Sequence, residues 1–299
     1  MKVVFSFQKN NSSRPQKQNT AFGAGLTPKM MREIQQADVL EISSRLARKG
    51  IPTDFKGNKV IAWCCDKTVE ILEQLNKKTG QKFALPRGIY VEDFEKLNVE
   101  DKNAIGFCNL APTKLVKNSE EIIPSRVIYF DTLAQKRASS PSERQWLYDW
   151  DNIDSISDHR YATRQAGTDS FLDIFLHESS HNIHLDKLLQ RYDGKTVLEK
   201  ILSAKDEKQI AEYQKKYGVT ISQICNYALT NPLEAVACDM AKVIANSLEK
   251  TTLIPTKNPF IGTPYEKLSF WQRVNIQDYL DEKRPLNEIL RHFWNGKFE

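Results

Sequence analysis

Three of the chain's five histidines, His177, His181 and His184, fall in one short stretch, LHESSHNIH. The first two form, with Glu178, the pattern H-E-x-x-H. Side chains four apart on a helix stand one turn apart on the same face, so His177 and His181 can reach a single ion. Glu178 follows the first of them and leans toward the open side of that ion. There a carboxylate can take a proton from a water and pass it to a leaving group. If the ion is zinc, a bound water has a pKa of roughly 7 and serves as a nucleophile at neutral pH. The chemistry these residues point to is metal-assisted hydrolysis.

Two histidines are too few, because a catalytic zinc ordinarily takes three protein ligands and a water. His184 is the nearest candidate for the third. It lies on the same face, but seven residues of helix rise about 10.5 Å, too far for three side chains to meet unless the helix breaks. No glycine intervenes before Gly194, so His184 reads as a packing or supporting residue. The other candidates are Glu234 and Asp239, in YALTNPLEAVACDMAKVIANSLE (227–249). Asn231 suits an N-cap, Pro232 a first helical position, and Glu234 then stands at the third. That placement leaves Glu234 a competing use, capping its own helix. At 100° per residue, Glu234 shares a flank with the small residues Cys238, Ala241 and Ala245, which allow close approach of another helix. Asp239 falls with Lys242 and Asn246, on a side expected to face solvent. Glu234 is the favoured ligand.

The elements that must position these residues form a mixed α/β first half and a helical second half. Residues 27–50 read as one helix with Thr27 as cap and Gly50 at its exit. KVIAWC (59–64) reads as a strand, followed by a helix from Asp66 to Lys78. RGIYVEDF (87–94), AIGFCNL (104–110) and SRVIYFDT (125–132) read as further strands. Residues 136–167 read as a long ordered loop or short helices. A helix capped by Thr168 or Asp169 then carries the histidines to about Tyr192. Helices over 196–216, 219–228, 231–250, 264–281 and 285–294 follow. The cleft between two such halves is a usual place for a site. In the loop, His159, Arg160, Tyr161, Arg164, Trp146 and Trp150 are either site-lining residues or, more simply, surface charge and packing anchors. Trp271, Phe293 and Trp294 are expected to close the core of the helical half.

At these residues the chain resembles the gluzincin metallopeptidases. Tyr227-x-x-Thr230-Asn231-x-x-Glu234, after the H-E-x-x-H helix, is similar to the catalytic-domain family of anthrax lethal factor. The resemblance spans residues 170–245. It implies a zincin-like α+β fold, with a tail over 1–25 and one peptidase domain over 26–299. Its upper subdomain (26–192) would include the active-site helix and its lower, helical subdomain would be 193–299. It implies Zn2+ held by His177, His181 and Glu234, with Glu178 as general base and Tyr227 donating to the oxyanion. It also implies an upper-sheet strand, VIYFD (127–131) or another, that pairs with an extended substrate. In gluzincins a carboxylate four residues after the glutamate ligand orients a histidine. That position here is Cys238, so His177 must find another partner. The alternative is a catalytically weak or inactive zincin-like module that binds metal and partners.

Composition sets the outer limits. A net charge of +5 on 299 residues, with acids and bases interspersed and no Lys/Arg run, gives no electrostatic footprint for nucleic acid or membrane. Five cysteines without framework spacing read as free thiols. The N-terminus lacks a signal peptide's apolar stretch, and no segment is long and apolar enough to span a bilayer. The expectation is a monomer acting on a peptide or protein substrate, cytoplasmic or exported by a leaderless route. Residues 1–25, rich in Gln, Asn, Ser and Lys from residue 7 on, read as a flexible tail.

Overall fold

The computed structural model describes residues 28–131 and 166–249, apart from 80–82, 95, 98, 100–103, 111–112, 115–121, 124, 169 and 223. The tail, the loop over 136–165 with its His, Arg and Trp candidates, and the helices expected after residue 250 lie outside the described residues. The chain divides into two compact units, Met1–Ile156 and Ser157–Glu299. The class is α+β, with a small mixed sheet in the first unit and helices in the second.

In the first unit the segment expected as one helix is two, α1 (Pro28–Gln36) and α2 (Val39–Arg48). Asp38 makes the break: its carboxylate accepts from the amides of Leu40 (2.8 Å) and Glu41 (3.1 Å). A short acidic side chain that can cap a new helix competes with continuing the old one. Gly50, at φ +78°, provides the exit.

The strand expected at 59–64 is instead the start of α3 (Lys59–Thr79). Asn58 Oδ1 accepts from the amide of Ile61 at 2.8 Å and begins the helix. Val60, Ile61, Ala62, Trp63, Cys64 and Cys65 are all buried. A helix covered on several sides shows no apolar stripe, so its opening run looks like a buried strand. Helices α1 and α2 pack on it. A forked ion pair, Arg45 Nε and Nη2 to the two Asp66 oxygens at 3.1 and 2.6 Å, ties α2 to α3.

Helix α3 is the crossover between two parallel strands, β1 (Thr53–Asp54) and β2 (Gly88–Glu92). Strand β3 (Gly106–Cys108) comes next. A separate antiparallel pair, β4 (Thr113–Lys114) with β5 (Ile122–Ile123), precedes β6 (Val127–Asp131). The main sheet runs β1-β2-β6-β3, with β6 parallel to β2 and antiparallel to β3. Because β6 is interior, its residues are buried throughout and show no alternation. Its backbone is already paired on both sides, so VIYFD cannot add an extended peptide; among the described residues the sheet's edges are β1 and β3. Tyr90, Tyr129, Phe107 and Phe94 form a chain of ring contacts with centroids 5.0–5.6 Å apart, within the core cluster of this unit.

The second unit contains α4 (Asp173–Arg191), α5 (Gly194–Ala204), α6 (Glu207–Ile221), one 3-10 turn (Tyr227–Leu229) and α7 (Pro232–Glu249). The helix expected over 196–216 is interrupted at Asp206, whose carboxylate accepts from the amides of Lys208 (3.0 Å) and Gln209 (3.3 Å). The one expected over 219–228 is the end of α6 and the 3-10 turn. Helix α7 packs mainly on α4 and on that turn. Among the described residues no helix is long and apolar enough to cross a membrane. No disulfide joins the five cysteines, all of which are buried.

Candidate metal centre

The histidine helix does not start at Thr168. Thr168 Oγ1 accepts from the Ser170 amide (3.2 Å) and Ser170 Oγ from the Leu172 amide (3.2 Å), two successive side-chain turns that lead the chain into α4. Residue 172 itself gives no side-chain cap; Asp169 lies outside the described residues. From Asp173 to Leu185 every residue of α4 is buried. Such a helix needs a reason to carry His177, Glu178, His181 and His184 away from water.

Helix α7 supplies one. Asn231 Oδ1 accepts from the amides of Leu233 (2.9 Å) and Glu234 (3.1 Å), the N-cap expected from sequence. The Glu234 side chain does not fold back to complete a capping box. Its Oε2 lies 3.0 Å from His177 Nε2 and 3.3 Å from His181 Nε2, and the two Nε2 atoms are 3.0 Å apart. Three ligand atoms therefore converge, all on buried residues, in a group that can hold a metal ion. Donors arranged tetrahedrally at about 2.0–2.1 Å from zinc stand roughly 3.3 Å from one another, so the edges of this triangle fit such an ion. Hydrogen bonding alone suits it poorly. Each Nε2 that donates to Glu234 brings its proton toward the other Nε2, whereas one cation satisfies all three atoms.

Burial alone would push the Glu234 carboxyl up. The charge on His181, hydrogen bonds from His177 and His181, and the charge on His177 together outweigh burial and hold it well below the usual carboxylate range.

The remaining candidates fall around this triangle. Glu178 is fully buried, at 0% exposure, next to His177 on α4. The Tyr227 ring, on the 3-10 turn, lies 6.0 Å from the His177 ring, centroid to centroid, and is inclined by 56°. His184 is buried but outside the ligand group, as the helical rise requires. Asp239 is also outside it, but the expectation that it faces solvent is wrong: it is only 4% exposed. Residues 231–241 of α7 are buried on every side, so a wheel that assumes one wet face misplaces it. Burial raises the Asp239 carboxyl to about 7, only partly offset by Lys242.

One contact was missed in sequence. His177 was expected to need a partner other than Cys238, yet Cys238 Sγ lies 3.7 Å from His177 Nδ1. The signal was available, since residue 238 sits one turn beyond Glu234 on the same flank. A thiol is a weaker hydrogen-bond acceptor than the carboxylate the resemblance implies there, so it does not stand out as a histidine partner. No protein-family model, curated protein or solved structure matches the chain, so its functional reading rests on these residues.

Proposed function

We propose that the chain is a zinc-dependent peptidase of zincin-like α+β architecture, similar to the gluzincins, that hydrolyses peptide bonds in a peptide or protein substrate. The observation that carries this is the triangle of His177, His181 and Glu234 with edges of 3.0, 3.0 and 3.3 Å, flanked in sequence by Glu178. His177 and His181 hold the ion as neutral imidazoles and Glu234 as the anionic ligand. Zinc, when bound, supplies Lewis acidity that polarises a carbonyl and acidifies water. Glu178 takes the proton of the attacking water and returns it to the leaving amine. The Tyr227 hydroxyl donates to the oxygen that gains negative charge as the carbonyl becomes tetrahedral.

Glu178→Gln keeps the shape of the side chain and removes its basicity. It should leave zinc stoichiometry at the wild-type value while chelator-sensitive peptide cleavage disappears. A variant that binds zinc and still cleaves at the wild-type rate rules out Glu178 as the base.

A second reading is a metal-binding module without hydrolysis. It is favoured by burial: Glu178 and the three donors are each no more than 1% exposed. A peptide-library cleavage assay with and without chelator separates the two, because the module binds zinc and releases no fragments.

A further inference from the structure

The two nitrogens of His177 face different partners and do different things. Nε2 points into the triangle with His181 and Glu234. Nδ1 lies 3.7 Å from Cys238 Sγ, within range of a hydrogen bond to the larger sulfur atom. A neutral imidazole that offers the lone pair of Nε2 to an ion carries its proton on Nδ1, and buried among apolar groups that proton needs an acceptor. Cys238 is only 1% exposed, so water is a poor substitute.

The surroundings hold the sulfur in place. Gly167 lies so close to α7 that a Cβ there would stand 2.8 Å from the Cys238 carbonyl oxygen and 3.2 Å from Ile224 Cγ2. The chain at 166–168 therefore clamps the Cys238 backbone. A thiol sulfur carries lone pairs that can accept a ring N–H.

We infer that Cys238 is a positioning residue for His177. Its sulfur accepts the Nδ1–H, selects the tautomer with a free Nε2 lone pair, and fixes the ring plane that aims Nε2 at the ligand group. The direction of this hydrogen bond and its consequence for the metal rest on the reading of the triangle as a zinc site; the 3.7 Å contact does not. One turn of α7 thus delivers both a ligand, Glu234, and the support of another ligand, Cys238. The acceptor is uncharged, so it raises His177 basicity less than a carboxylate would.

The test uses the full chain loaded with zinc. Long-range proton–nitrogen NMR reads which His177 nitrogen carries the proton, and titration against a chromogenic chelator gives zinc affinity. The zinc-loaded wild type should hold its proton on Nδ1, slow to exchange with solvent. Cys238→Ala should speed that exchange and weaken zinc binding about 10- to 100-fold. Cys238→Ser keeps an acceptor and should restore slow exchange and much of the affinity, which a purely space-filling role would not require. A zinc-loaded wild type with the His177 proton on Nε2 overturns the inference with no variant needed. A wild type that binds zinc beside a Cys238→Ala variant of unchanged exchange and affinity overturns the inference alone. A wild type that binds no zinc overturns the zinc reading, and the inference falls with it.

Discussion

Asp239→Asn isolates one buried carboxyl whose cost can be worked out. Asp239 is 4% exposed on α7, and burial raises it to about 7 against a partial offset from Lys242. In the unfolded chain an aspartate titrates near 3.9. Between these two values the folded protein holds a proton that the unfolded chain has released. The contribution is therefore fully present below about pH 4, is lost as the pH rises to about 7, and is level above that. Roughly three pKa units at 1.36 kcal/mol each give on the order of 4 kcal/mol between the two plateaus. That is a large part of the 5–15 kcal/mol that holds a typical domain together. Asparagine has the same shape and never ionises. Urea unfolding followed by circular dichroism, with chelator present for both proteins, should give nearly equal stabilities at pH 4. At pH 8 the Asn variant should be several kcal/mol more stable. Parallel stability curves across pH 4–8 would refute the argument, because they would mean that the folded carboxyl titrates like an exposed one.

Other outcomes follow from the same geometry. Glu234→Gln should weaken zinc binding by well over 100-fold, more than an outer partner's loss costs, as read by isothermal titration. Zinc at 100 times its Kd should stabilise the wild type by about 2.7 kcal/mol and leave that variant's unfolding midpoint unmoved. Gly167→Ala drives a Cβ to 2.8 Å from a backbone oxygen that cannot rotate away, and should cost about 1–3 kcal/mol in denaturant unfolding. Asn231→Ala removes the acceptor for the Leu233 and Glu234 amides. It should cost about 1 kcal/mol in the same assay and also lower zinc affinity, since it loosens the turn that carries a ligand.

The convergence of His177, His181 and Glu234 was legible because it depends on local rules. H-E-x-x-H fixes two donors by helical spacing, and Asn231-Pro232 locates the start of the helix that brings the third. His184 was excluded by helical rise alone. Three of the differences share one cause, which is burial and pairing that sequence periodicity does not report. Helix α3 opens with six buried residues in a row and so reads as a strand. Asp239 sits on a helix with no wet face there, so a wheel sends it to solvent. VIYFD looked available to a substrate, although β2 and β3 occupy both of its edges. The helix breaks at Asp38 and Asp206 were hidden for another reason: an aspartate inside a helical pattern looks like surface charge until it caps. The Cys238 contact needed the distance between two helices, which no single stretch of sequence contains.

Burial of the triangle also sets a clock. His177, His181 and Glu234 are each about 1% exposed, so an ion held among them in the proposed zinc site would be shielded from a competing chelator on the side of these three residues. Its three protein bonds would break only when α4 opens from α7, and a chelator would then capture what has already left. The rate of zinc loss should then level off as chelator concentration rises, at the opening rate of that helix pair. In such a protein the lifetime of the bound metal reports the breathing of two helices rather than the strength of three bonds.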